Sequence, residues 1–527
     1  MAPVASAADS TTYLAGVTKG GDVAAGGGRV FVAADNQIVV ADAQGALTGA
    51  VTGLSGALGL AMAPDGTRLY AALSGSNEVA EIDTAALTIT RRIDLAAYPC
   101  PSNLSLSGDR LWVGYGCRFT AGGGVLSLDL SATAPEPVTV GVGTYSAPLV
   151  AAAGNTLVVG ETDINPSDLM VYDVSVTPAT LRGEIDGHTY NQGFLNDLAI
   201  TPDGSMVISV FGSPYQYDGW DTTSLTKIRT YGAEPTFDGY PNAVALSPDG
   251  SHVAGGRSPA LGAGVALYDT VTAAKTYTND SSVGEPVAGS LTFSGNDLFS
   301  VLKQPSTGRL YLWRLHGATL PASTLTLTAP SSATVLEPFT MTGQLTPANG
   351  SAPGTQPLVV TRQLLPNGPS TTLAGVTTAA DGKFTVTDTP PAAGNFRYKA
   401  LWDGSSDSRW STAVTTISVA KRHPSLTLSG PATGTVGEQL QFSGALDAAG
   451  QAPPPGTSLK VHRTVSTDAG TVTTALPAVT PASDGSFSFA DTPAESGQYT
   501  YTVWWAGNAM FSSVYASHDV TVQGEAG

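Results

Sequence analysis

One short pattern recurs seven times between Gly21 and Leu315, at a spacing of about 45 residues. Each copy has an apolar strand, a tight polar turn, a second apolar strand, a variable loop, and a third strand that usually ends in Asp. The ends of the third strands are separated by 41, 46, 44, 48, 48 and 45 residues. A period of this length, with four strands per unit, predicts the blades of a β-propeller. The third strands are Val39–Asp42, Ala80–Asp83, Leu126–Asp129, Met170–Asp173, Trp220–Asp221, Ala266–Asp269 and Tyr311–Arg314.

The turn between the first and second strands has the strongest local signal. It reads Ala63–Gly66, Thr201–Gly204 and Ser247–Gly250, each with the order x-Pro-Asp-Gly. Pro presets the first turn angle, and Gly accepts the positive φ that the turn requires. These segments therefore predict tight turns between antiparallel strands.

Strand counting also predicts how the ring closes. The last repeat has only three strands, from Val287 to Leu315, and the pattern changes at Pro321. A strand-like run at 11–17 precedes the first repeat. We expect it to supply the missing outer strand of the last blade, which would remove an exposed sheet edge. The predicted propeller spans residues 11–320.

A second repeat, with a period near 102 residues, follows Pro321. Two units of this size with short alternating strands predict β-sandwiches over 321–421 and 422–527. Their aromatic residues are expected to fill the sandwich cores rather than contact ligands. Matching segments include Leu325–Leu327 with Leu426–Leu428, Asp381–Phe384 with Asp484–Phe487, Phe396 and Tyr398 with Tyr499 and Tyr501, and Trp402–Gly404 with Trp505–Gly507.

The Pro-Asp-Gly turns and strands such as Gly264–Thr270 resemble the YVTN-type seven-bladed propeller family of bacterial surface and secreted proteins. The two later units resemble Ig-like tandem repeats of actinobacterial and other bacterial surface proteins, without the antibody disulfide. The resemblance implies an all-β chain with a propeller followed by two Ig-like domains. It says little about function, because the propeller family includes binding proteins and lactonase-like enzymes.

Composition narrows the range of partners. The chain has 527 residues, a formal net charge of −18 and a pI near 4.6, with no Lys/Arg cluster. Nucleic acid is therefore an unexpected partner, because its recognition needs a positive surface. No apolar run reaches 18 residues, so no membrane span is predicted.

Two features point to an extracellular or cell-surface location. Within the N-terminal tail, residues 1–10, Ala5–Ala7 matches the small-x-small end of a secretory signal, although a plain Ala-rich tail fits as well. Cys100 and Cys117 are expected at neighbouring strand ends, close enough to form a disulfide worth about 3 kcal/mol. The alternative is two free thiols in a cytosolic protein.

The loops that follow the second and fourth strands of each blade should emerge on one rim, and here they are long and aromatic. Aromatic rings beside Asp, Asn and Gln suit sugar rings or a protein surface. The alternative is that these rings pack between blades. The predicted ligand-binding residues are Arg118, His188, Tyr190, Phe194, Tyr215, Tyr217, Trp220, Phe237 and Tyr240, with Tyr98, Phe119, Tyr145, Asp163 and Asp168 expected on the same rim.

No motif for a nucleophile, a phosphate or a zinc ion is present, so no catalytic or metal residue is assigned. No cofactor is expected apart from Ca²⁺, for which Asp163–Asp168 and Asp218–Asp221 are candidate loops without the ligand spacing of a dedicated site. The expected function is adhesion or binding, with the rim recognising a glycan or a protein and the sandwiches acting as a stalk. The alternatives are a lactonase or lyase type of propeller enzyme and a structural part of an extracellular assembly.

Overall fold

The computed structural model describes residues 9–232, 239–258, 264–279, 284–467 and 470–524. They form two units. Unit 1 comprises the described residues up to Ala322 together with Asp403–Trp410, and unit 2 comprises Ser323–Trp402 and the described residues from Ser411 onward. The chain is all-β, and the one helix among the described residues is the four-residue α1 (Gly187–Tyr190).

The described residues of unit 1 form twenty-six strands. In chain order they are β1 (Asp9–Tyr13), β2 (Val23–Gly26), β3 (Arg29–Asp42), β4 (Leu47–Met62), β5 (Arg68–Leu73), β6 (Glu78–Asp83), β7 (Thr88–Asp94), β8 (Asn103–Ser107), β9 (Arg110–Tyr115), β10 (Gly123–Asp129), β11 (Val138–Thr144), β12 (Leu149–Ala153), β13 (Thr156–Gly160), β14 (Leu169–Asp173), β15 (Thr180–Ile185), β16 (Gly193–Ile200), β17 (Met206–Ser213), β18 (Tyr217–Asp221), β19 (Lys227–Tyr231), β20 (Tyr240–Leu246), β21 (His252–Ser258), β22 (Val265–Asp269), β23 (Lys275–Asn279), β24 (Glu285–Ser294), β25 (Asp297–Lys303) and β26 (Leu310–Leu315).

These strands form antiparallel sheets of neighbours in sequence. Four sheets run β8–β11, β12–β15, β16–β19 and β20–β23, and a six-stranded sheet runs β2–β7. The last sheet has the order β1-β26-β25-β24, so its outer strand comes from the start of the chain. Asp9 pairs with Leu315 and Tyr13 with Tyr311, and the Asp9 carboxylate accepts a 3.2 Å hydrogen bond from the Trp313 indole.

The inner strands of the unit 1 sheets are buried on both faces. All five residues of β13 are buried, and apolar clusters on its two sides join its sheet to the sheets before and after it. A further apolar cluster joins the last sheet to the six-stranded sheet, because Phe299 and Val301 of β25 pack with Val30 and Val32 of β3. Successive residues of an inner strand therefore point toward two different neighbouring sheets, so neither face of the strand is a solvent face.

The Pro-Asp-Gly turns adopt the predicted geometry. Gly66, Gly204 and Gly250 have φ values of 69°, 72° and 71°. In the first turn the Asp65 carboxylate accepts a hydrogen bond from the Thr67 backbone N–H at 2.9 Å. That backbone bond, with the Thr67 hydroxyl, lowers the pKa of Asp65.

Unit 2 contains two successive pairs of sheets. The first pair has three strands in the order β27-β29-β32 and five in the order β28-β34-β33-β30-β31, and the second repeats this with β35-β37-β40 and β36-β42-β41-β38-β39. The strands are β27 (Thr324–Thr328), β28 (Ser332–Thr334), β29 (Phe339–Thr346), β30 (Val359–Leu364), β31 (Ser370–Leu373), β32 (Lys383–Asp388), β33 (Gly394–Trp402), β34 (Ser411–Ala420), β35 (Ser425–Ser429), β36 (Thr433–Thr435), β37 (Leu440–Asp447), β38 (Leu459–Thr467), β39 (Gly470–Val479), β40 (Ser486–Asp491), β41 (Gly497–Trp505) and β42 (Val514–Gln523).

A polar contact made by a buried tyrosine recurs in both pairs of sheets. The Tyr398 hydroxyl donates to Asp388 at 2.6 Å, and the Tyr501 hydroxyl donates to Asp491 at 2.7 Å. An arginine completes each set, because Arg362 donates to Asp388 and Arg463 donates to Asp491. As expected from the sequence, the paired aromatic residues lie in the cores; they are Phe396, Tyr398, Tyr499 and Tyr501.

Candidate functional site

The candidate site lies at one end of the unit 1 sheets. We call it the loop face and define it by the loops at 95–102, 116–122, 145–148, 161–168, 186–192 and 214–216. Because successive strands run in opposite directions, the loops after the second and fourth strands of each sheet emerge at the same end. The Pro-Asp-Gly turns lie at the other end.

A disulfide fastens two of these loops together. Cys100 and Cys117 are bonded, with a Cα–Cα distance of 5.0 Å, which confirms the predicted pairing. The Cys100 backbone N–H donates to the Asn77 side chain at 2.9 Å. The loop after β9, which carries Arg118 and Phe119, is therefore held beside the loop that enters β8.

Arg118 forms an ion pair with Asp163 of the neighbouring sheet through two of its guanidinium nitrogens. Its Nε and Nη2 atoms lie 3.0 Å and 2.7 Å from Asp163 Oδ1, while 72% of its side chain remains exposed. The hydrogen bond to Asp163 raises the pKa of Arg118. The guanidinium carbon also lies 4.7 Å from the centre of the Phe119 ring.

Phe119 belongs to an exposed aromatic pair. Its ring centre lies 6.0 Å from that of Tyr145, and the two residues are 56% and 38% exposed. The Phe119 backbone N–H donates to the Ser146 hydroxyl at 3.1 Å, which fixes the loop at this point. Arg118, Phe119 and Tyr145 thus form an exposed surface of two rings tilted by 50°, with a cation over the Phe119 ring, and we call it the Arg118 platform.

A cavity of about 390 Å³ opens beside the Arg118 platform. Its lining includes Arg118 and Asp163 together with hydroxyl and amide groups, and Cys100 borders it. The polar lining residues include Ser102, Asn103, Ser146, Thr162 and Asn196. Hydrogen-bonding groups are thus available next to an apolar ring surface.

A second exposed aromatic pair lies on the next part of the loop face. The ring centres of Tyr215 and Tyr240 lie 5.2 Å apart at an interplanar angle of 76°. Phe194 is also exposed, with a φ of 59°. Its backbone N–H donates to the Ile164 carbonyl at 3.1 Å.

Two of the predicted ligand-binding residues are buried and present no ring to the surface. Tyr217 and Trp220 lie in β18 with no exposed surface. The Tyr217 hydroxyl donates to the Gly256 carbonyl at 2.7 Å, and the Trp220 indole donates to Ser209 at 2.8 Å. Gly255 of the next sheet has no side chain, which leaves room for the Tyr217 ring. Both rings pack between sheets.

The other predicted residues divide between the surface and the interior. Tyr190 packs edge-on against Trp220, with ring centres 4.8 Å apart. His188 is exposed in α1, where its backbone N–H donates to the Asp186 carboxylate at 2.8 Å. Phe237 lies outside the described residues.

The candidate Ca²⁺ loops use their carboxylates in other contacts. Asp163 binds Arg118, and the Asp168 side chain accepts the Gly187 N–H at 2.8 Å. Asp218 is buried and accepts a 2.7 Å hydrogen bond from Thr230. Within the described residues, no group of three or more His, Cys, Asp or Glu side chains is arranged to hold a metal ion.

Sequence reasoning missed a polar cavity lined by the first strands of the sheets. It has a volume of about 350 Å³ and shares Ser102, Asn103 and Asn196 with the cavity beside the Arg118 platform. Its lining includes two carboxyl side chains, Asp22 and Asp197. The sequence signal that could have identified these residues is an acidic residue within an apolar strand, such as Asp197 within Leu195–Ile200.

The two carboxyl groups have similar surroundings. Asp22 accepts the backbone N–H groups of Val23 and Leu60 at 2.7 and 2.8 Å, and Asp197 accepts those of Leu198 and Val244 at 2.9 and 2.7 Å. Burial raises the pKa of Asp22 to about 7 and that of Asp197 to about 8 despite these bonds. The negative charge of Asp22 adds to the shift at Asp197.

No protein-family model matches the chain, and no curated protein matches it. Solved structures that resemble part of this chain are β-propeller domains. The structure of hydrazine synthase from Kuenenia stuttgartiensis is 16% identical, with a TM-score of 0.45, and the match covers 58% of this chain and 100% of that one. The Cps50 (Swd1) β-propeller domain of Myceliophteria thermophila is 13% identical over 57% of this chain and 98% of its own, with a TM-score of 0.45. Kluyveromyces lactis Hsv2 is 11% identical over 56% and 97%, with a TM-score of 0.38.

Proposed function

We propose that unit 1 is a seven-bladed propeller and that unit 2 is a pair of Ig-like domains, as in YVTN-type surface proteins of actinobacteria. Two observations support seven blades. The six-stranded sheet contains two sets of strands joined through β4, whose first half pairs with β3 and whose second half pairs with β5. The polar cavity is also lined by seven separate chain segments, one for each sequence repeat; these are 21–22, 58–59, 102–104, 149–150, 196–198, 244 and 288–291. The proposed boundaries are 11–320, 321–421 and 422–527.

We propose that the protein is a secreted or cell-surface binding protein whose loop face recognises a glycan. The Arg118 platform carries this proposal, because it places exposed aromatic rings beside a cavity whose lining combines apolar side chains with hydroxyl and amide groups. A sugar ring presents apolar C–H groups on its faces and hydroxyl groups at its edge, and this surface offers a partner for each. The tandem sandwiches would act as a stalk.

Secretion is supported by the disulfide, since such bonds persist in oxidising compartments. No helix among the described residues has the length and apolar character to cross a bilayer. Fractionation of the native organism's cells, followed by immunodetection, tests the location. Recovery of the protein only from the cytosol would contradict this part of the proposal.

The glycan proposal is tested by applying the full chain to a glycan array and comparing it with the Phe119→Ala/Tyr145→Ala variant. We expect the variant to lose at least about tenfold in affinity for the bound glycan, because both ring faces are removed. Tyr13→Ala is a matched control, since Tyr13 is an exposed, paired aromatic on the outer strand β1 and is not part of the Arg118 platform. Undiminished binding by the double variant would refute this site. A protein ligand recovered in place of any glycan would favour the adhesion alternative.

The polar cavity supports a second candidate function, an enzyme of the lactonase or lyase type. The observation that favours an enzyme is that the Asp22 and Asp197 carboxyl groups have pKa values of about 7 and about 8. Such values suit general acid–base chemistry near neutral pH. Against it, each carboxyl already binds two backbone N–H groups. Hydrolysis of a lactone panel that is abolished by Asp22→Asn and Asp197→Asn separately would favour the enzyme. Absence of turnover in the unaltered protein would leave the binding proposal in place.

A further inference from the structure

A second aromatic surface lies on unit 2, on the outer face of the second five-stranded sheet. Residues of β41 alternate strictly: Tyr499, Tyr501, Val503 and Trp505 are buried in the core, and Gln498, Thr500, Thr502 and Trp504 face the other way. Trp504 therefore stands outside the core.

Trp504 is flanked on both sides by residues that face the same way. It pairs directly with Tyr515 of β42 and with Lys460 of β38, so all three side chains project from one face. Tyr515 is 71% exposed. The Lys460 ammonium lies 5.2 Å from the centre of the Trp504 ring.

The next rows of the same face are polar. Thr502 pairs with His462 on one side and Ser517 on the other. One row further, the Thr500 hydroxyl donates to the Asp519 carboxylate at 2.7 Å. Aromatic rings are thus followed by hydroxyl groups along the strand direction.

The first sandwich shows that the fold does not require these residues. At the same register positions it has Val359, Leu401 and Thr412, which pair in the same way. The cores of the two sandwiches share the Tyr–Asp–Arg contact, yet only the second has aromatic rings at these positions. The first sandwich has cations on the same face, Arg397 and Lys399, but no ring beside them at these positions. The two sandwiches therefore differ in the residues at these surface positions and not in the polar contact of their cores.

We propose that this face of the second sandwich binds a polysaccharide that contains uronic acid. Trp504 and Tyr515 offer ring faces on which pyranose rings stack, and Lys460 places a cation beside them to pair with a uronate carboxylate. Thr502, Ser517 and His462 supply hydrogen-bonding groups to the next sugar. Charge complementarity favours an acidic group at the aromatic row, because that row carries Lys460, while Asp519, two rows away on the same face, is hydrogen-bonded to Thr500. This site is separate from the loop face and does not depend on it.

The test measures binding of the full chain to immobilised polygalacturonate and to neutral dextran at about 0.15 M salt, where repulsion from the net negative protein is screened. We expect binding to polygalacturonate and none to dextran. Trp504→Ala/Tyr515→Ala should weaken binding at least about tenfold. Lys460→Met, which keeps the apolar stem, should lower binding several-fold.

Leu401→Ala in the first sandwich is the matched control and should leave binding unchanged. Tyr515→Ser is a second variant whose folding is not in question, because the side chain is largely exposed. Equal binding to dextran, no binding to polygalacturonate, or full binding by the Trp504→Ala/Tyr515→Ala protein would overturn the proposal. Loss of binding only in the Phe119→Ala/Tyr145→Ala variant would assign the polysaccharide to the loop face and also overturn it.

Discussion

The strands β18 and β41 show how differently the two units treat an aromatic residue. In β18 of unit 1, Tyr217 and Trp220 are three positions apart and both are buried, because each face of the sheet is covered by another sheet. In β41 of unit 2, neighbouring Trp504 and Trp505 face opposite ways, and only Trp505 is buried. In unit 2, the alternation of residues along a strand therefore predicts which side chains are buried and which are exposed. In unit 1 it does not, because both faces of an inner strand are covered.

The largest expected effect comes from removing the N-terminal strand. Deletion of residues 1–18 takes away β1 and the fully buried Leu14, exposing the edge of β26. We expect unit 1 to lose more than about 4 kcal/mol of unfolding free energy, while unit 2 is unaffected. Calorimetry that follows both transitions checks this, and an unchanged unit 1 transition would show that β1 does not hold the sheets together.

A smaller but still large effect separates the two tryptophans. Trp220→Ala should destabilise unit 1 by about 3–5 kcal/mol, because it removes a fully buried ring. Trp504→Ala should cost less than about 1 kcal/mol, as expected of a surface residue. Urea unfolding of both variants provides the comparison, and similar losses would contradict the burial assigned here.

Breaking the disulfide should have an intermediate effect confined to unit 1. The bond spans 17 residues, and its loss should destabilise by about 3 kcal/mol in the chain-entropy model. Cys100→Ser/Cys117→Ser should also weaken glycan binding at the Arg118 platform, since the loop bearing Arg118 is freed. Mass change on alkylation with and without reductant reports the bond itself. Two thiols that react freely without reductant would contradict it.

The smallest expected effect is a pH dependence of unit 1 that comes from two carboxyl groups with raised pKa values. Asp22 and Asp197 have pKa values raised in the folded state to about 7 and about 8, so folding favours their neutral forms. Stability from this source is present at low pH and falls as pH rises from about 4 to about 8. At pH 9, Asp197→Asn should therefore be more stable than the unaltered protein, by about 1–2 kcal/mol. Thermal unfolding of both proteins at pH 5 and pH 9 checks this. An Asp197→Asn variant that is less stable than the unaltered protein at pH 9 would contradict the expected effect.

Much of the fold could be predicted from the sequence because its signals are local. The Pro-Asp-Gly turns, the alternating strands and the repeat period depend on residues close together in the chain. The Cys100–Cys117 pairing followed from the same register. Exposed residues of the loop face, such as Arg118 and Tyr215, were also identified because they lie in loops.

Other features were decided only when distant segments met. Asp22 and Asp197 are 175 residues apart in the chain, and only the packing of the sheets brings both to one cavity. Tyr217 is buried because Gly255 of the next sheet leaves space for its ring. The sequence by itself determined the strands, the turns and the two repeat periods, since these depend on neighbouring residues. Only the tertiary structure decided which aromatic rings face solvent and which carboxyl groups line the polar cavity, because burial depends on what packs against a strand from elsewhere in the chain.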